Sequence, residues 1–127
     1  MFINIGVANS LSFSGPFQLK YWAPPQSAGL YAILKYTRGL LLTPDGWTVL
    51  YVGETGDLSE RGFPNGHHAY LRWVHEAGSA DNLYIATYTM LYSTPEQRRA
   101  VEQQLVSEYA PPCNRTFLPL NIFGSSY

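Results

Sequence analysis

The stretch YVGETGDLSER, Tyr51–Arg61, runs an apolar-aromatic strand into Gly53 and then turns through Thr55 and Asp57 toward a lone arginine. Upstream, GLYAILKY (29–36) sets Leu30, Ala32 and Leu34 against Tyr31, Ile33 and Lys35, the period-two alternation of a strand. Pro44, Asp45 and Gly46 supply a turn before WTVLYVG (47–53), so the two runs predict an antiparallel hairpin. Downstream, Asp57 followed three residues later by Glu60 is a helix-start pattern, and Gly62 and Pro64 cut that helix short. HHAYLRWVHEA (67–77) resumes a helical pattern with Leu71, Val74 and Ala77 on one side, and Gly78 ends it. NLYIATYTML (82–91) is rich in β-branched and aromatic residues and predicts a third strand. STPEQRRAVEQQLVSEYAPP (93–112) is the clearest helix, capped by Thr94, opened by Pro95 and stopped by Pro111 and Pro112. The expected fold is a small α/β domain of β-β-α-β-α order, with one three-stranded sheet flanked by helices. It forms a single domain over residues 1–127, with a core at about 28–116. Residues 1–27, rich in Ser, Gly and Pro, read as an irregular lead-in, and 117–127 as a tail.

Composition bounds the function. The chain has 127 residues, 46% of them hydrophobic, with 10 tyrosines and a net charge of −1. This is enough apolar material for one core and too little charge for disorder. A near-neutral chain lacks a large basic face, so a nucleic-acid partner has to be gripped by a local patch. Cys113 is the one cysteine, which excludes an internal disulfide framework and fits a reducing, cytoplasmic setting. The opening MFINIGVANSL has neither a basic signal-peptide start nor a membrane-length apolar run, so no membrane partner is expected.

The last helix carries a carboxylate in an unexpected place. With Val101 at zero and about 100° per residue, Leu105, Tyr109 and Val106 fall near ~40°, ~80° and ~140° and define an apolar stripe. Glu102 falls near ~100°, inside that stripe. A carboxylate there has to be paired, protonated or bound to a cation. Two readings stand at this point: an intrahelical pair with Arg98 one turn earlier, or a ligand for a hard divalent cation facing a shallow cleft.

Gly29-Leu30-Tyr31, Tyr51-Val52-Gly53, Thr55, Asp57-Leu58, Arg61, Glu102 and PPCN with Asn114 stand in an order that resembles the GIY-YIG nuclease superfamily. Val52 and Leu30 replace the family's isoleucines. The resemblance implies hydrolysis of a nucleic-acid phosphodiester, with DNA the favoured substrate, using one Mg²⁺ or Mn²⁺ ion. It implies that Tyr31 activates or orients the attacking water and that Arg61 stabilises the pentavalent phosphate. Glu102 would hold the metal, Tyr51 would bond the phosphate or its water network, and Asn114 would position the metal-binding region. Gly53 and Thr55 belong to the substrate-binding turn. Lys35 and Arg98, together with Arg38, Arg99 and Arg115, are candidates for a phosphate-gripping patch. The family's histidine, one helical turn after the arginine, is Asn65 here. His67 is the favoured replacement as a proton carrier, with His68 beside it. The alternative is a non-catalytic nucleic-acid- or protein-binding module that keeps the fold.

Overall fold

A computed structural model describes residues 1–39, 46–60 and 62–114. Among these residues the strands are β1 (Phe2–Ile5), β2 (Leu11–Gln18), β3 (Gly29–Thr37), β4 (Gly46–Thr55) and β5 (Leu83–Thr89). Two helices accompany them, α1 (Tyr70–Ala77) and α2 (Pro95–Tyr109). Short 3₁₀ turns cover Leu19–Tyr21, Ala80–Asn82 and Pro112–Asn114.

The strands form one antiparallel sheet in the order β1-β2-β5-β3-β4, which corrects the expected three-stranded sheet. Both additional strands come from residues 1–27. Ile5 and Phe13 are buried, and the two strands are joined through Gly6, whose φ of 126° excludes other residues without strain. β2 then pairs with the edge of β5 that β3 leaves open, Phe17 opposite Ile85 and Gln18 opposite Tyr84. Ser12, Ser14 and Gly15 hid this strand. The β2–β5 register also shifts between Ser14 and Phe17, around Gly15 at φ 118°. A sheet left at three strands would expose the backbone groups of β5, which β2 satisfies.

β3 lies between β4 and β5 and is buried on both faces. Tyr31 and Ile33 face a core containing Trp73 of α1, Leu58 and Ile85. Leu30, Ala32 and Leu34 face a second core with Phe13, Val52 and Leu105 of α2. The alternation of β3 is therefore between two apolar layers. In the hairpin Tyr31 opposes Gly53 and Ile33 opposes Tyr51, and a bulge follows at Leu50. Cross-strand partners share a face and residues two apart share a face, so Tyr31 and Tyr51 emerge on the same side.

Three local expectations are revised. The described residues after Gly56 form turns, with no short helix at Asp57. The Asp57 carboxylate accepts instead from the Ser59 amide at 2.9 Å and its hydroxyl at 2.6 Å, a local bond that competes with helix. α1 begins at Tyr70, and its buried residue is Trp73, while Leu71 points to solvent. Gly78 ends it at φ 85°, as expected. α2 carries a full capping box, in which Thr94 Oγ1 accepts from the Gln97 amide and Gln97 Oε1 accepts from the Thr94 amide.

Candidate active site

Gly53 occupies the position across from Tyr31 because the tyrosine ring lies over it. A Cβ at Gly53 would stand 2.9 Å from Tyr31 Cε1 and closer still to Cζ and Oη. β4 does not end at Gly53 but continues to Thr55, so this glycine makes room for a side chain within the sheet face. Tyr31 is 5% exposed, its ring edge-on to Phe63 at 4.8 Å and stacked on Tyr51 at 6.0 Å. Its Oη lies 2.9 Å from His67 Nε2. The Tyr51 ring is 5.1 Å from that of His67 and 5.4 Å from that of Trp73.

His67 precedes α1 and supplies what the missing cap would have given. No side chain caps the helix at Ala69, and His67 Nδ1 accepts the Ala69 amide hydrogen at 3.0 Å. His68 stacks on it at 4.3 Å between ring centres. Burial, reinforced by the charge of His68, lowers the His67 pKa to about 4, so the ring is neutral at neutral pH. Burial raises the pKa values of Tyr31 and Tyr51, and the charge of Glu102 raises both further. Both phenols keep their protons at neutral pH.

Glu102 is half-buried, as its place on the α2 stripe requires. Burial raises its pKa and the charge of Glu54 raises it further, while a hydrogen bond from the Glu54 backbone pulls the other way. Arg98 does not turn back to Glu102. Its guanidinium is buried, with Nε 2.9 Å from Glu54 Oε1 and one terminal nitrogen donating to Ser93 O at 2.8 Å and Ser93 Oγ at 3.1 Å. Arg98 thus fastens α2 to β4 rather than standing in a phosphate-gripping patch.

A cavity of about 270 Å³ opens beside these groups, lined by Tyr31, Glu54, Thr55, Glu60, Phe63 and His67 among others. Thr55 Oγ1 accepts from the Asp57 amide at 3.1 Å and lies 3.2 Å from Glu60 Oε1, to which its hydroxyl can donate. It shapes the turn on the cavity wall. Asn114 is a clamp on β4: its Oδ1 accepts from the Val52 amide and its Nδ2 donates to Val52 O, both at 2.8 Å. Those bonds pair the open edge of β4 one residue before Gly53.

Tyr31, Tyr51, Gly53, Thr55 and His67 therefore converge, while Glu102 does not line the cavity itself and reaches the two tyrosines through its charge. Lys35 does not join them. It sits four residues along β3, roughly 13 Å from Tyr31 at strand spacing, with Nζ donating to Glu76 O at 3.3 Å. Arg61 and Arg115 lie outside the described residues. Sequence reasoning missed Phe63 as part of the Tyr31 setting and Ala69 as the partner of His67. Neither carries a sequence signal, because one contact is tertiary and the other is made by a backbone amide. Among the described residues no three or more His, Cys, Asp or Glu side chains cluster as a metal cage. The donor set, one half-buried carboxylate with Glu54 beside it, suits a cation that keeps several waters rather than one fully enclosed by protein. Among the described residues no helix is long and apolar enough to cross a membrane. No protein-family model, no curated protein and no solved structure matches this chain.

Proposed function

We propose that the chain is a divalent-metal-dependent endonuclease acting on nucleic-acid phosphodiesters, with DNA as the favoured substrate. The observation that carries this reading is the convergence of Tyr31, Tyr51 and His67 beside Glu102, reached from four separate segments of a chain whose ordered motifs resemble GIY-YIG nucleases. Glu102 would hold one Mg²⁺ or Mn²⁺ ion, which when bound would neutralise charge on the phosphate and leaving oxygen. Tyr31, kept protonated by burial, positions the water rather than deprotonating it. Water attacks phosphorus, the P–O bond to the leaving oxygen breaks, one proton of the water passes to solvent in the open cavity, and the leaving oxygen takes a proton from solvent there. Arg61 is proposed to stabilise the phosphorane through its permanent charge. Tyr51 supports Tyr31 and offers its hydroxyl to the phosphate.

A second reading, a protein-binding module without catalysis, is favoured by the charge of the cavity. Glu54, Asp57 and Glu60 line it, and their field opposes a phosphate unless a cation is present. The two readings part on metal dependence. Under the nuclease reading, Mg²⁺ or Mn²⁺ produces cleavage of plasmid and short oligonucleotides, while EDTA or Glu102→Gln abolishes it. The absence of both binding and cleavage on duplex, single-stranded, branched and RNA substrates supports the module instead.

A further inference from the structure

We infer that His67 is locked as the Nε2–H tautomer and acts as a hydrogen-bond donor to Tyr31, a positioning residue rather than a base. A backbone amide can only donate, so the 3.0 Å contact from the Ala69 N–H requires a lone pair on His67 Nδ1. A neutral imidazole carries one ring proton, which must then sit on Nε2. The neutral state is itself favoured by the half-buried setting against Phe63 and Trp73 and by His68 stacked alongside. Nε2 is 2.9 Å from Tyr31 Oη, so the tyrosine oxygen receives that proton's hydrogen bond.

The polarity passes onward. With His67 donating, the hydroxyl hydrogen of Tyr31 points away from it. That leaves a second lone pair on Tyr31 Oη for an O–H of the attacking water, which aims the water oxygen outward. His67 cannot relieve Tyr31 of a proton in this arrangement, because its basic nitrogen faces Ala69. It instead holds the tyrosine rotor and stabilises partial negative charge on Oη. The tautomer follows from the hydrogen bonds alone; its catalytic meaning rests on the nuclease reading above.

The test has two arms. Long-range ¹H–¹⁵N correlation spectra of the uniformly labelled protein near neutral pH distinguish a protonated from an unprotonated ring nitrogen. The expected pattern for His67 is Nε2 protonated and Nδ1 bare, and the reverse pattern overturns the inference. The second arm compares cleavage by His67→Gln and His67→Ala, with thermal melts confirming that both fold. Glutamine can donate to Tyr31 but cannot take a proton. The donor role predicts that His67→Gln stays within about 10-fold of wild type, while His67→Ala falls by about 100-fold, the scale of a lost catalytic hydrogen bond. Equal loss in both variants overturns the donor role even with the expected tautomer. If the wild-type protein itself cleaves nothing, the nuclease reading falls, and the spectra still decide the tautomer.

Discussion

Replacing Gly53 with alanine tests why a glycine stands in the middle of β4. Glycine weakens a strand interior, and its backbone here is not in the left-handed region, so alanine at an unobstructed site would stabilise the protein by about 0.5–1 kcal/mol. The new methyl meets the Tyr31 ring, 2.9 Å from Cε1 and nearer to Cζ and Oη, where ordinary contacts begin at 3.4 Å. The ring has to retreat by on the order of 1 Å from a packed setting between Phe63 and Tyr51, and overpacking of this kind costs about 1–3 kcal/mol. The sign of the effect is therefore reversed from the strand expectation. A shift of that size also carries Oη out of range of His67 Nε2, now at 2.9 Å. Urea denaturation of Gly53→Ala, Tyr31→Ala and the double variant measures this directly. The expected result is a loss of about 1–3 kcal/mol in the single Gly53→Ala variant and a gain of about 0.5–1 kcal/mol when Tyr31 is already alanine. An alanine that is neutral or stabilising in the wild-type background would refute the reasoning.

Two further expectations follow from the same geometry. Asn114→Ala leaves the Val52 amide and carbonyl without their 2.8 Å partners, and two half-buried hydrogen bonds place the loss at about 2–3 kcal/mol, read by thermal or urea unfolding. Asn114→Asp keeps the acceptor but sets a carboxylate against Val52 O, so it should be no better than alanine. Because the folded pKa of His67 lies near 4 against an ordinary 6.5, the unfolded chain binds the extra proton first as pH falls. The stability contributed by the neutral ring is present above 6.5 and is lost as pH drops through 6.5 toward 4. After allowing for a half-exposed ring, wild type should lose about 1 kcal/mol relative to His67→Gln between pH 7.5 and pH 5. Parallel stability curves over that range would contradict the buried neutral histidine.

What the sequence disclosed was local, and what it withheld was tertiary. Thr94 and Pro95 define the start of α2, and the alternation of Leu30 to Leu34 against Tyr31 and Ile33 identifies β3. Parity along the hairpin brings Tyr31 and Tyr51 to one side once the register is known, and the stripe on α2 anticipates the half-burial of Glu102. The β1–β2 hairpin was hidden because β2 gains its stability by pairing with β5, some seventy residues away, and a serine- and glycine-rich run carries no local trace of that. Arg98 was misplaced for the same reason. Its helix neighbour Glu102 is visible in the sequence, whereas its actual partner Glu54 lies on β4. Asp57 and Glu60 form the pattern of a helix start, yet Asp57 spends its oxygen on Ser59 and the chain turns.

The central claim is that Glu102, Tyr31 and Tyr51 belong to a phosphodiester-cleaving site, and its most direct measurement is metal-dependent cleavage by purified protein. Supercoiled plasmid and a labelled duplex are incubated with Mg²⁺, Mn²⁺ or EDTA, using wild type and Glu102→Gln prepared side by side. The account predicts cleavage with either metal, none with EDTA, and a loss of at least about 100-fold in Glu102→Gln with its unfolding midpoint preserved. Cleavage that persists undiminished in Glu102→Gln, or that proceeds in EDTA, would contradict it.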